Sequence, residues 1–289
     1  MLELGCIDAP LPAGTLAGSP PRTAPPFDAA EERHRGTHTL ERALSILKAF
    51  DGHKAALSNS QLVQRTGFSK ASVSRITATL LGLGYLARDN DGVRFRIGMR
   101  GRMLGHTYRT NSPLSALARP WMQAFADRHD LSIALGTGDG TDMLYLEYCK
   151  SPRTATLCFA VGGRIPMELT AMGRAYLWDQ APAERRELLE RIAASPRPGR
   201  ARALARIDAA FGQLSADGFC VASGEYQRDS YGIAIALRLG RPELRMSLNC
   251  SGMLPAPDER QIREVVVPGL QDTARQLQEA FAGVDSRLF

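Results

Sequence analysis

Residues 58–83, SNSQLVQRTGFSKASVSRITATLLGL, constrain this chain more than any other stretch. They read as two short helices joined by a tight turn. Ser58 or Asn59 can cap the first helix, Leu62 and Val63 point it inward, and Gly67 suits the left-handed position just past its end. Ser69 can cap the second helix, where Val73, Ile76, Thr77 and Leu80 follow the i, i+3, i+4, i+7 spacing of one buried face. The opposite face carries Ala71, Ser74, Arg75, Ala78 and Gly82. Small residues around one arginine let a helix approach base-pair edges closely, the layout of a helix-turn-helix whose second helix enters the major groove.

The flanks extend the pattern. Leu40, Ala43, Leu44, Leu47 and Phe50 form an apolar stripe, a further helix roofing the other two. Downstream, residues 85–88 and 93–97 are β-prone runs around Asp89-Asn90-Asp91-Gly92, a hairpin signal. Alternation in the second run predicts Val93, Phe95 and Ile97 inward, with Arg94 and Arg96 outward. Three helices and a basic hairpin make a winged helix-turn-helix over residues 37–99. Charge agrees. Net charge is +6, and residues 39–102 hold eleven Lys and Arg against four Asp and Glu, leaving the remainder near neutral. A basic patch confined to one unit is the footprint of a polyanionic partner, here a double-stranded DNA operator. The expected DNA-facing residues are Ser69, Lys70, Ala71, Ser72, Ser74 and Arg75 on the helix and Arg94 and Arg96 on the wing. A helical module for protein contacts would fit the helices but not the charge.

HTLERALSILKAF, SNSQLVQRTGFSKASVSRITATLLGLGYLARD and RFRIG resemble the DNA-binding domain of the IclR family of bacterial transcription regulators. VGGRIPMELTAMGRAYL, ADGFCVASGEY, YGIAIAL with MSLNCSG, and LQDTARQLQEAFAG resemble its effector-binding domain, in order, from about His38 to Gly283. Departures are Ser69 for a frequent Pro, Ser74 for a frequent aromatic or His, and Ser223-Gly224 for a frequent acidic pair. The resemblance implies an α+β protein in which the winged domain is joined by a linker to a GAF-like effector-binding domain. It also implies a homodimer or homotetramer, with the linker region bringing two DNA readers together.

The rest of the chain bounds this reading. Residues 1–36 hold six prolines without apolar periodicity, a disordered leader or an over-long start, and lack the form of a signal peptide. No segment approaches the ~20 apolar residues of a membrane span, so no membrane partner and a cytoplasmic location are expected. Five cysteines, Cys6, Cys149, Cys158, Cys220 and Cys250, lack CxxC spacing, and the histidines are scattered. That argues against a disulfide framework, a metal site or any cofactor. Idle thiols are expected; a redox sensor on Cys149 and Cys158 would need an exposed, activated thiolate.

Residues 100–113 read as a linker with a short helix broken at Asn111-Ser112-Pro113. Residues 114–289 read as the effector-binding domain, opening on the stripe Leu114, Leu117, Ala118, Trp121, Met122, Phe125 and Ala126. Strands are expected at 131–136 and 143–148 around the turn Gly138-Asp139-Gly140, and at 154–161. Helices follow at 172–178, 183–194 and 202–217, then strands at 219–222, 232–238 and 245–250. A final helix spans 258–281, with Pro268 interrupting it.

Thr170 can cap the helix at Ala171-Met172-Gly173, whose free N–H groups and dipole suit a carboxylate, with Gly173 allowing close approach. Alternation puts Ser247, Asn249 and Ser251 on one strand face. A few polar groups in an apolar concavity are the recipe for a small-molecule effector, here a carboxylic acid. The resemblance places the family's pocket on the same segments and adds Ile235. The plain alternative is that Thr170 is only a cap and Asn249 only a satisfied core group. Catalysis is not expected: no phosphate loop, nucleophile elbow or metal spacing occurs, and Glu225 stands as a lone acid. A constitutive architectural DNA binder would leave the large second domain without a use.

Overall fold

The computed structural model describes residues 38–50, 56–154, 160–194 and 200–289; the leader and Cys158 lie outside them. Helix α1 is His38–Lys48, α2 Asn59–Thr66 and α3 Lys70–Gly82. Ser58 is the cap of α2: its hydroxyl accepts from the Gln61 N–H while the Gln61 side chain accepts from the Ser58 N–H. Gly67, at φ 70°, ends α2 in the left-handed region, and Ser69 caps α3 by accepting from the Ser72 N–H. Val73, Ile76, Thr77 and Leu80 are buried as the spacing requires, in one core with Leu57, Leu62, Leu86 and Phe95.

Two details differ from expectation. The buried stripe of α1 is turned by about one position. Ile46 is buried and packs with Ala43, Leu47 and Phe50, while Leu40 and Leu44 are 61% and 51% exposed. Residues 43, 46, 47 and 50 also satisfy the helical spacing, and Ile46 supplies the β-branched bulk. In the wing, β1 (Leu86–Arg88) pairs antiparallel with β2 (Phe95–Ile97), and Phe95 is inward, but Val93 is 65% exposed. Val93 falls in the turn rather than on the strand, because Asp91 folds back to accept from the N–H groups of Val93 and Arg94.

Helix α4 (Met99–Asn111) leaves directly from β2, and the chain breaks at Ser112 before α5 (Pro113–His129). The joint at Gly98 is tight: a Cβ there would lie 2.4 Å from the Gly84 carbonyl oxygen and 2.9 Å from that of Leu86. The Gly98 N–H donates to the Tyr85 carbonyl and the Arg100 N–H to that of Gly84. Trp121 is 41% exposed, so the apolar stripe of α5 is wider than the sheet it covers.

The second half is built on an antiparallel sheet of order β5-β4-β3-β8-β7-β6. Its strands are β3 Ser132–Asp139, β4 Asp142–Lys150, β5 Arg164–Pro166, β6 Cys220–Ser223, β7 Ser230–Leu239 and β8 Leu244–Met253. Asp139 pairs with Asp142, so the hairpin turns at Gly140-Thr141, at the far end of the expected turn. The expected strand at 154–161 falls largely on residues 155–159, outside the described ones; the short β5 follows it. Helices α6 (Ala171–Asp179), α7 (Pro182–Ala194) and α8 (Arg200–Asp217) cover one sheet face. The other face packs Ile133, Leu135, Ile233, Leu237 and Leu248 under α5 and the C-terminal helix.

That C-terminal helix shows what Pro268 does. A short α9 (Glu259–Gln261) passes into a π turn (Ile262–Val266) before α10 (Val267–Phe281), and the Val267 N–H reaches back to Ile262. Proline has no N–H to continue the ladder, so the extra residue is taken up in the turn before it. No helix among the described residues is long and apolar enough to cross a membrane.

Candidate functional site

The outward face of α3 is small and polar. Ser69, Lys70, Ala71, Ser74 and Arg75 are exposed, and Ser72 is half-buried. The Ser69 hydroxyl serves as the helix cap and lies 3.1 Å from that of Ser72. Below this face, the Arg65 guanidinium donates to the Ala49 carbonyl at 2.6 Å, and Arg42 lies 5.6 Å from the Phe68 ring. Arg65 thereby ties the end of α2 to the residue after α1, and Arg42 packs α1 on the turn between α2 and α3, supports that periodicity alone does not reveal.

The wing arginines divide. Arg94 is exposed, but its guanidinium turns back into the hairpin turn, 2.5 Å from Asp91 and 3.3 Å from Asp89. The backbone N–H of Arg94, then its side chain, then the N–H of Val93 stabilise the Asp91 carboxylate and hold its pKa down to about 2. Arg96 is half-buried on β2. Arg88 lies 4.6 Å from the Phe95 ring and donates to the carbonyls of Gly92 and Val93 at 3.2 Å. The alternation that placed Arg94 outward could not show that its own turn supplies two carboxylates.

The second feature is a small, partly open cleft of about 60 Å³ at the N-terminal end of α6. Thr170, Ala171, Asn249 and Ser251 line it, with apolar walls from Ile165, Leu169 and Met253 and aromatic surface from Tyr145, Tyr226 and Tyr231. A few polar groups among apolar and aromatic walls are the usual composition of a small-molecule site. Burial pushes the Tyr145 hydroxyl well above its ordinary pKa, and the Tyr231 hydroxyl up to about 12, so both stay neutral donors. Asn249 is 5% exposed and stands opposite Ala134 on β3 and Ala234 on β7. Ser251 shares its hydroxyl with Ser132, 2.8 Å away. Ser247 lies on the same strand face but donates to the Ile235 carbonyl and does not border the cleft.

Three expected site residues are placed differently. Ile235 is turned to the α5–α10 core, because strand pleating sends it to the face opposite Ala234 and Asn249. Gly232 and Ala222 line the cleft instead. Met172 is fully buried among Met143, Tyr145, Ile165 and Met167. Gly173 makes room for its own chain: a Cβ would lie 2.2 Å from the Met167 Cα. Its N–H donates to the Thr170 hydroxyl at 3.2 Å, so the first-turn donors outside the helix ladder are those of Ala171 and Met172.

Glu225 is not a lone acid. It lines the cleft with a side chain 9% exposed, and the guanidinium of Arg174, itself 2% exposed, binds both its oxygens. Arg206 of α8 adds a contact at 2.8 Å. Arg174 also donates to the Glu168 carbonyl through Nε and Nη2, at 3.2 and 2.9 Å. Burial pushes the Glu225 pKa up, but hydrogen bonds from Arg174 and Arg206 outweigh it and hold the carboxyl below its ordinary value. These residues lie far apart in sequence, and only the fold brings α6, α8 and the β6–β7 loop together.

Among the described residues no cluster of His, Cys, Asp and Glu could hold a metal ion. Cys149, Cys220 and Cys250 are buried, and burial raises their pKa values to about 11, 12 and 12. Such thiols carry almost no thiolate at neutral pH, which removes Cys149 as an activated redox centre.

Comparison with known proteins agrees with both halves. Residues 39–90 match the IclR helix-turn-helix domain, and residues 106–279 match the bacterial transcriptional regulator IclR C-terminal domain. The chain is 33% identical over 202 residues to the HTH-type transcriptional regulator TsaQ1/TsaQ2 of Comamonas testosteroni, covering 69% of this chain and 72% of that one. An IclR family transcriptional regulator from Brucella abortus superposes with a TM-score of 0.72 at 26% identity, covering 88% and 96% of the two chains. An IclR homolog from Microbacterium hydrocarbonoxydans, complexed with 4-hydroxybenzoate, shares the fold with a TM-score of 0.63 at 22% identity, covering 84% and 99%. Matched by both family models and by a relative 33% identical over most of both chains, the chain belongs to the IclR family of DNA-binding transcriptional regulators.

Proposed function

We propose that this regulator binds its operator through α3 and the wing and that a small aromatic acid, held in the α6 cleft, modulates that binding. The observation that carries the reading is the cleft itself. A helix N-terminus with a threonine cap opens onto an apolar and aromatic lining that includes one buried amide, Asn249. The N–H groups of Ala171 and Met172 and the helix dipole favour a carboxylate, and Asn249 and Ser251 supply further polar contacts. The 4-hydroxybenzoate bound to the Microbacterium homolog supports the ligand class. Residues 114–289 act as the effector unit, residues 37–99 as the DNA reader, and residues 100–113 as the connection.

On the reader, Arg75 faces a base edge at the centre of α3, while Ser69, Lys70, Ala71, Ser72 and Ser74 bring the helix close. Arg96 meets phosphate from the wing, and Arg94 shapes the turn that presents it. The protein acts as a homodimer, alone or paired into a tetramer, in the cytoplasm. Exposed Leu40 and Leu44 on α1 and Met99, Met103, Leu104 and Tyr108 on α4 support such an interface. Coupling requires that the effector bind the DNA-competent and incompetent arrangements with different affinity. The test is a gel-shift titration on the DNA upstream of the protein's own gene, with and without benzoate and hydroxybenzoates. An effector-dependent change in affinity is expected; equal affinity with and without every acid that binds would overturn the coupling.

A further inference from the structure

Glu225 lines the same cleft as Thr170 and Ala171 at the start of α6. Among the described residues that line the cleft, Glu225 is the charged one, and its surroundings are countable. A carboxylate offers about four lone-pair sites across its two oxygens. Arg174 Nη1 donates to Oε1, and Arg174 Nη2 and Arg206 Nη1 both donate to Oε2. Oε2 is therefore filled, and Oε1 keeps one acceptor site. Two guanidinium groups hold the carboxylate charged and fixed, and the bidentate grip of the buried Arg174 prevents it from turning away.

Resting on the proposed acid-binding role of this cleft, we propose that Glu225 is its specificity residue. It accepts a hydrogen bond from a hydroxyl or amino group on an aromatic monoacid and excludes a second carboxylate. A ligand donor fills the remaining site on Oε1. A ligand acceptor or anion there meets only another acceptor, and a site built to bond a donor discriminates strongly against analogues that lack one. Tyr145 and Tyr226, with Ile165, Leu169 and Met253, give an aromatic ring flat and apolar contacts between its two polar ends.

The experiment is titration calorimetry of the full chain at pH 7 with benzoate, 3- and 4-hydroxybenzoate, 4-methoxybenzoate and 4-carboxybenzoate. At least one hydroxybenzoate is expected to bind about tenfold or more tighter than benzoate and 4-methoxybenzoate, as a hydrogen bond to a charged group implies. The diacid is expected to be the weakest. Glu225→Gln, with its melting curve beside it, is expected to lose the preference for the donor while still binding benzoate. If that variant melts early because Arg174 is left unpaired, the wild-type ligand series decides alone. Equal affinity for benzoate and both hydroxybenzoates, or tight binding of the diacid, would overturn the role of Glu225 and leave the acid-binding reading standing. Failure of every acid to bind would overturn that reading and this inference together.

Discussion

Asn249 and Ile235 lie on adjacent strands, β8 and β7, but on opposite faces of the sheet. Asn249 stands level with Ala234 on the cleft side, and Ile235, one residue on, packs into the α5–α10 core. The two positions therefore separate binding from stability.

Asn249→Leu is expected to abolish or strongly weaken the effector response, because a bound acid would lose a partner at ~1–3 kcal/mol. Ile235→Ala is expected to cost ~2–5 kcal/mol of stability through the cavity it leaves. Effector affinity in the folded fraction should not change. Calorimetric titration beside melting curves checks both. Early melting of Asn249→Leu with normal binding would make Asn249 structural.

Arg75→Ala is expected to cost ~1–3 kcal/mol of operator binding with far less loss on random DNA. Equal losses on the two DNAs, read by competition gel shift, would mean that Arg75 touches only phosphate.

On the wing, Arg96→Ala should reduce the slope of binding affinity against salt by about one unit for each phosphate left without its cation. Arg94→Ala should leave that slope nearly unchanged, since its charge is already held by Asp91 and Asp89. Anisotropy titrations across a salt series distinguish the two. A comparable drop in slope with Arg94→Ala would show that DNA draws the guanidinium out of the turn.

The Arg174–Glu225 pair makes a prediction about acid. The folded-state pKa of Glu225 lies below its ordinary value. Its contribution is thus complete above the unfolded carboxylate pKa and is lost as pH falls through the lower folded one. Arg174→Met, which leaves the carboxylate with only Arg206, should cost ~3–5 kcal/mol at pH 7. The gap to wild type should narrow below about pH 4 in urea melts. A gap independent of pH would assign the loss to packing.

The described cysteines should resist Ellman's reagent in the native protein near neutral pH and react on unfolding, since all three thiols are buried with raised pKa values. Rapid native labelling of Cys149 would reopen the redox reading.

Much of this was legible in the chain. Helical spacing, the serine caps and Gly67 specify α2 and α3 because those signals are local. Strand alternation placed Asn249 and Ser251 together for the same reason. What sequence could not show was which face of β7 meets the cleft, since a run such as Gly232-Ile233-Ala234-Ile235 is buried on both sides. Nor could it show that Gly173 serves its own chain rather than a ligand, or that Arg174, Arg206 and Glu225 converge. Those facts depend on contacts between elements up to 51 residues apart. The wing failed locally: Asp91 captured the turn and removed Val93 from the strand.

The joint at Gly98 has a mechanical consequence. With no side chain between them, the start of α4 rests directly on the carbonyls that follow α3 and open β1. Compliance in proteins comes largely from side chains that can change rotamer, and this contact has none. Under the proposed coupling, a turn of α4 would pass to the reading domain with little side-chain slack, and Gly98→Ala, whose Cβ meets backbone at 2.4 Å, is expected to loosen that joint without touching the DNA face or the cleft.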